Sequence, residues 1–241
     1  MAYVNRRIAY EAANGRVEEL SEQAFCDIAG PLVLIGEPGA GKSDTAQAIA
    51  EIKDGQHVSA ARFVQGAPLP PASASGVYII DGLDEVTQWS QDLPINIVLR
   101  RLYEAGVTNF VVTCRAADWK NFQSQQLVET WHGARPTIGY LLALNDDEIA
   151  AVVDSLDSYP AGGYDFVERA REKHALELAR NPQSITLLLA AISQDGWPNS
   201  KTALYEMACT KFSQEHNRLH QSLSPGRPEP PRVCRRLVGL S

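Results

Sequence analysis

The chain has 241 residues, of which 44% are hydrophobic and 21% charged, with a formal net charge of −7. That length holds one α/β domain and a small second one, and the acidic balance argues against nonspecific binding to nucleic acid or to an anionic membrane. Cys26, Cys114, Cys209 and Cys234 are scattered with no C-x-x-C pair, which excludes a disulfide framework or a zinc site of that kind and suits reduced thiols in a cytoplasmic protein.

Residues 1–30 mix charges with a helical spacing of Val17, Leu20, Ala24 and Phe25 and lack the apolar core of a secretory signal, so an N-terminal helical arm is expected there. From 31 to 144, apolar runs alternate with helical patterns, the mark of an α/β fold with a parallel sheet flanked by helices. Strands are expected at 32–35, 58–64, 77–81, 110–113 and 137–141. The proline- and serine-rich run 66–76 reads as a surface loop, and Ile95, Val98, Leu99 and Leu102 keep a helical period between the third and fourth strands.

Between the first strand and the helix-forming run 45–52 stands Gly36-Glu37-Pro38-Gly39-Ala40-Gly41-Lys42-Ser43, which fits G-x-x-x-x-G-K-[ST] at every fixed position. A strand delivers the glycine loop, its backbone N–H groups wrap a phosphate, and a helix N-terminus points at the same anion. Lys42 is placed to reach the outer phosphates and the Ser43 hydroxyl to help hold magnesium. Asp44 sits at the helix start, a position that suits a carboxylate but lies near the phosphates. The third strand ends in Asp81, the usual way to set a magnesium-holding carboxylate opposite the phosphate loop. Asp84 and Glu85 follow, candidates to orient or deprotonate an attacking water, with a solvated acidic turn as the alternative. The fourth strand leads to Arg115, at the rim of the sheet where it can contact a terminal phosphate or serve as a surface ion-pair residue.

After residue 144 strands give way to helices. Asn145 and Glu148 have the spacing of a capping box before Ile149, Val152, Val153 and Leu156, and helical patterns continue over 165–180, 183–193 and 201–219. Residues 145–220 thus read as a small helical lid domain. Pro182 can start one of these helices or touch a nucleotide. Residues 221–241 pack Pro225, Pro228, Pro230 and Pro231 with Arg227, Arg232, Arg235 and Arg236 and no period, the composition of a disordered tail. His216 and His220 lack a third ligand and a glutamate between them, and read as a solvated helix face. Trp89, Trp119, Trp131 and Trp197 read as packing residues.

Asp81-Gly82-Leu83-Asp84-Glu85 resembles the signature of NACHT-type ATPases of the STAND class of P-loop switches, and 113–119 is similar to the strand-end arginine segment of bacterial members. Ala179-Arg180-Asn181-Pro182, then Leu187-Leu188-Leu189, Trp197-Pro198 and Leu204-Tyr205-Glu206, resembles their helical-domain segments, so the likeness runs from about residue 30 to about 215. The resemblance implies a slowly hydrolysing ATP/ADP switch with Mg. Its phosphate loop would be Gly36 to Asp44, its metal ligands Ser43 and Asp81, and its catalytic groups Asp84, Glu85 and Arg115. Pro182 would lie near the adenine. It further implies homo-oligomerisation or partner chains supplying sensor and effector functions, often in bacterial antiviral defence; the family continues into a winged-helix domain and a sensor region that this sequence stops short of, so that it is either a fragment or works with other chains. No N-K-x-D base-reading motif is present, so ATP is preferred through the resemblance. The alternatives are a nucleotide-stabilised scaffold with degenerate hydrolysis and, less favoured by the acidic charge, a nucleic-acid-dependent ATPase.

Overall fold

The computed structural model describes residues 3–12, 15–73, 75–83, 86, 94–119, 128–129, 133, 135–197 and 206, with backbone only at 117–118 and 194–195. In chain order the strands are β1 (Arg7–Glu11), β2 (Val17–Ser21), β3 (Leu32–Ile35), β4 (Gln56–Ser59), β5 (Tyr78–Asp81), β6 (Phe110–Cys114) and β7 (Thr137–Leu141). They form one seven-stranded sheet in the order β2-β1-β7-β3-β6-β5-β4. β7, β3, β6, β5 and β4 run parallel, and β1 adds to β7 antiparallel with β2 beyond it. The five strands of the expected parallel sheet are thus present and parallel, and the hairpin β1–β2 extends that sheet antiparallel at one edge.

Alternation at period two decides which face each side chain covers. On β3, Leu32 and Leu34 join Ile79, Val111 and Ile49 on one face, whereas Val33 and Ile35 join Ile80, Val112 and Leu99 on the other. Helices cover both. On the first face lie α1 (Glu22–Cys26) and α2 (Lys42–Ile52), and on the second α3 (Ala60–Val64) and α4 (Pro94–Glu104). Ile95, Val98, Leu99 and Leu102 are the buried stripe of α4, as their spacing predicts. Burial at about 1.5–3 kcal/mol per large apolar side chain makes that stripe the reason the helix docks. Short α5 (Ala116–Trp119) follows β6, and Trp119 is buried in the same core.

Two expectations from the sequence are corrected. Residues 1–30 are not a helical arm: among the described residues, 7–11 and 17–21 are strands and only 22–26 is helical. The helical reading set Val17 on an apolar face, yet it is 75% exposed, while Ile8 is buried through pairing with Leu141. Backbone pairing with a distant strand outweighed the local spacing. The second correction is 58–64, where the strand ends at Ser59 and α3 begins at once, because Ala60 and Phe63 turn inward at helical spacing.

After β7 come α6 (Asp146–Leu156), α7 (Gly163–Glu172), α8 (Leu176–Ala179) and α9 (Pro182–Asp195). The capping box forms: Asn145 Oδ1 accepts from the Glu148 N–H at 2.8 Å and Glu148 Oε2 from the Asn145 N–H at 2.7 Å. The helix expected over 165–180 is two, split where His174 takes the left-handed φ of 55°. These helices share their own core, with Leu144, Ile149, Val153, Phe166, Ile185 and Leu188 buried together and Val4 packed against it. Trp197 closes one end, its ring 5.5 Å from Phe166 and its Nε1 donating to the Tyr159 hydroxyl at 3.1 Å. Apart from Glu206, which is helical, the expected helix at 201–219 lies outside the described residues, as do the tail at 221–241, His216, His220, Trp89 and Trp131. No helix among the described residues is long and apolar enough to cross a membrane.

Candidate functional site

β3 ends at Ile35 and α2 starts at Lys42, so residues 36–41 form the connecting loop at the carboxyl edge of the parallel strands, where α/β sheets bind ligands. Gly41 is the α2 N-cap with φ 87°, a conformation that glycine adopts without strain. Lys42 folds back over the loop, its Nζ donating to the carbonyls of Gly36 at 3.1 Å and Glu37 at 3.2 Å. Ser43 and Asp44 are exposed at the start of α2, and Thr45 Oγ1 donates to the Gly41 carbonyl at 3.0 Å.

Asp81 shares the face of Ile79, which is the α2 side of the sheet, and β6 lies between its strand and β3. The residue that bridges the gap is Thr113, on the same face of β6 as Val111. Its hydroxyl donates to Asp81 Oδ1 at 2.5 Å and accepts from the Gly82 N–H at 3.0 Å. From the other side, His57 Nε2 on β4 stands 3.6 Å from Asp81 Oδ2. The Thr113 hydroxyl thus orients the carboxylate, with the His57 ring beside it. Arg115 is exposed at the end of β6.

These residues border one cleft, lined by the loop from Pro38 to Asp44 except Ala40, by Gly82 and Arg115, and by Pro182, Gln183 and Thr186 of α9. It adjoins a smaller, mainly apolar pocket lined by Tyr3, Val4, Arg6, Leu144 and Val152, the two sharing Gly41, Asp44 and Pro182. The structure therefore brings together Pro38, Gly39, Gly41, Lys42, Ser43, Asp44, Arg115 and Pro182. Ala40 is buried beneath the loop, and Asp81 stands just before Gly82 at the cleft wall. Asp84 and Glu85 lie outside the described residues.

Sequence reasoning missed what surrounds the motif. Arg6 is buried; its Nη1 donates to the Ala40 carbonyl at 2.5 Å and its Nη2 to the Leu142 carbonyl at 2.6 Å. Burial pulls the pKa of this guanidinium below its usual value. Beside it the Tyr3 hydroxyl donates to buried Glu22, and burial together with that bond raises the pKa of the phenol. Asn181 Nδ2 donates to the Pro38 carbonyl at 2.9 Å and the Gln183 N–H to the Gly39 carbonyl at 3.3 Å. Thr113 could have been found, being a polar residue at a buried position of an apolar strand. Arg6 had no such signal, because its segment carries a helical spacing.

No protein-family model matches the chain, and no curated protein matches it. Among solved structures, DnaA from Aquifex aeolicus bound to AMPPCP is similar at 15% identity, with a TM-score of 0.44; the alignment covers 83% of this chain and 64% of that one, so this chain spans less than two thirds of that DnaA chain.

Proposed function

We propose that the chain binds a nucleoside triphosphate, ATP by preference, in the cleft between the sheet and helices α6–α9, and acts as a slowly hydrolysing P-loop switch of the NACHT kind. The observation that carries the reading is the continuity of a polar cleft at the glycine loop with an apolar pocket at Val4, Leu144, Val152 and Pro182. Phosphates belong at the first, where loop amides, the α2 N-terminus and Lys42 supply positive charge. A planar base belongs at the second, between aliphatic side chains.

Magnesium suits the donors present: the Ser43 hydroxyl is exposed, and the Asp81 carboxylate, held by Thr113, keeps lone pairs beyond the one that Thr113 occupies. Bound there, the ion would neutralise phosphate charge. Lys42 would leave the carbonyls of Gly36 and Glu37 for phosphate oxygens, and Arg115 would meet the terminal phosphate from the far wall. Asp84 or Glu85 would position the attacking water. Residues 145–220 would act as the lid, reading phosphate state through Pro182 and its neighbours. Oligomerisation, partner chains, a cytoplasmic place and a part in defence signalling belong to this reading through the NACHT resemblance.

A second reading, a scaffold that holds nucleotide structurally, draws support from Asp44, which sets a carboxylate on the wall of the phosphate cleft. Nucleotide analysis of the purified chain with a phosphate-release assay separates the two. Bound ATP or ADP with measurable turnover supports the switch. Bound nucleotide with no turnover supports the scaffold, and no nucleotide affinity overturns both.

A further inference from the structure

We propose that Arg6 and Asn181 are positioning residues for phosphate binding: from outside the loop Asn181 holds the Pro38 carbonyl and Arg6 the Ala40 carbonyl turned away, so that the Gly39 and Gly41 N–H groups face the anion before it arrives. The inference rests on the phosphate-loop reading above.

A trans peptide is planar, and its C=O and N–H point in opposite directions. Fixing the carbonyl of one residue therefore aims the N–H of the next. The Pro38 carbonyl accepts from Asn181 Nδ2, which sends the Gly39 N–H the other way. The Gly39 carbonyl accepts from the Gln183 N–H, and the Ala40 N–H opposite it is taken by the Glu37 carbonyl at 3.2 Å. The Ala40 carbonyl accepts from Arg6 Nη1, which turns the Gly41 N–H from the Arg6 side. Gly39 and Gly41 line the phosphate cleft while Ala40 is buried, in keeping with that alternation.

The clamp also accounts for Gly39, which occupies a position the motif leaves free. Its φ is 71°, and a Cβ there would lie 2.3 Å from Gln183 Oε1 and 3.0 Å from Asn181 Oδ1. The N-terminus of α9 is thus fitted against the loop backbone, and it is not itself an anion site. Asn181 Oδ1 accepts from the N–H groups of Gln183 and Ser184, and Pro182 has none to offer. Asn181 does two jobs with one amide, capping α9 with its oxygen and holding the loop with its nitrogen. Donors oriented in advance spare the ligand the cost of ordering them.

Asn181→Ser separates the two jobs, since serine still caps a helix but is too short to reach the Pro38 carbonyl and adds no charge. Calorimetric titration of the full chain with Mg-ATP, inorganic pyrophosphate and adenosine, alongside the melting temperature of the empty protein, reads the outcome. We expect Asn181→Ser to weaken ATP and pyrophosphate about fivefold to tenfold, the size of one neutral hydrogen bond, and to leave adenosine affinity and the empty protein's melting temperature in place. Arg6→Lys, which keeps the charge and loses the forked geometry, should weaken pyrophosphate in the same way and serves if the serine variant folds poorly; because Arg6 also lines the apolar pocket, pyrophosphate is its readout and adenosine is not. Equal losses for adenosine and ATP in Asn181→Ser would mean general misdocking and overturn the proposal. So would wild-type pyrophosphate affinity in both variants. If the unaltered chain binds neither ATP nor pyrophosphate, the phosphate-loop reading falls and the proposal with it.

Discussion

The two ends of the cleft are assembled in different ways. At the phosphate end, most of the wall comes from residues 38–44, consecutive in sequence and carried by a strand, a turn and a helix that touch each other. At the apolar end, Tyr3, Val4 and Arg6 precede β1, Leu144 follows β7, Val152 lies on α6 and Pro182 opens α9. The first needs only local backbone geometry. The second exists only once the N-terminal hairpin has paired with β7 and the helical core has docked through contacts such as Arg7 Nε to Glu148 Oε1 at 3.0 Å and Arg180 Nη1 to the Leu144 carbonyl at 2.9 Å. A motif that folds with its own strand is tolerant of distant change, whereas a pocket gathered from four segments is not.

That contrast sets the order of the tests. Asp84 and Glu85 are proposed to act on the attacking water and not on the nucleotide, so replacing either with its amide should leave binding in place while turnover drops by about 10²-fold or more in one of the two variants. Normal hydrolysis in both, measured by phosphate release, would favour the scaffold. Lys42→Ala strikes the phosphate end alone. Loss of a hydrogen bond to a charged partner is worth about 1.5–3 kcal/mol, so ATP affinity should fall about 10- to 100-fold while adenosine binds as before. If both ligands weaken together, the two ends are not separable.

Pro182→Ala tests the shared wall. Saturating Mg-ATP should raise the melting temperature of the unaltered protein by several degrees. The variant should lose more of that shift than it loses in the empty state, because Pro182 lines both pockets and is only half-buried. Equal losses with and without ligand would leave Pro182 as a helix-starting residue and nothing more.

The smallest effect concerns Glu22, buried beneath the apolar end against the Tyr3 hydroxyl and 3.4 Å from the Arg6 N–H. Burial raises its carboxyl above the ordinary value of 4.5. The folded state then binds more protons than the unfolded one, so Glu22 supports the fold at low pH, and that support fades as pH rises through its folded pKa. Glu22→Gln keeps an acceptor for Tyr3 and should flatten this part of the stability–pH curve from about pH 4.5 upward. An unchanged slope in chemical denaturation at several pH values would remove Glu22 from the account.

What could be read in the sequence follows the same division. The strand, loop and helix at 32–52, the acid closing β5, the capping box at Asn145 and the buried stripe of α4 rest on contacts within a few residues, and local periodicity carries such contacts. The hairpin at 7–21 was hidden because it is anchored to the sheet through β1 alone, whose other partner, β7, is more than a hundred residues away. Thr113 and His57 reached Asp81 only when β6 and β4 took their places beside β5.

By itself the sequence determined the phosphate-loop motif, the alternation of strands and helices, and the change to helices after residue 144, since each is written in neighbouring residues. Tertiary structure alone decided that Arg6 and Asn181 hold the loop from opposite parts of the chain, and that Gly39 must stay small for Gln183. Side chains that meet across more than thirty residues in one case and 143 in the other leave no periodic trace, because nothing local repeats where the partner is so distant.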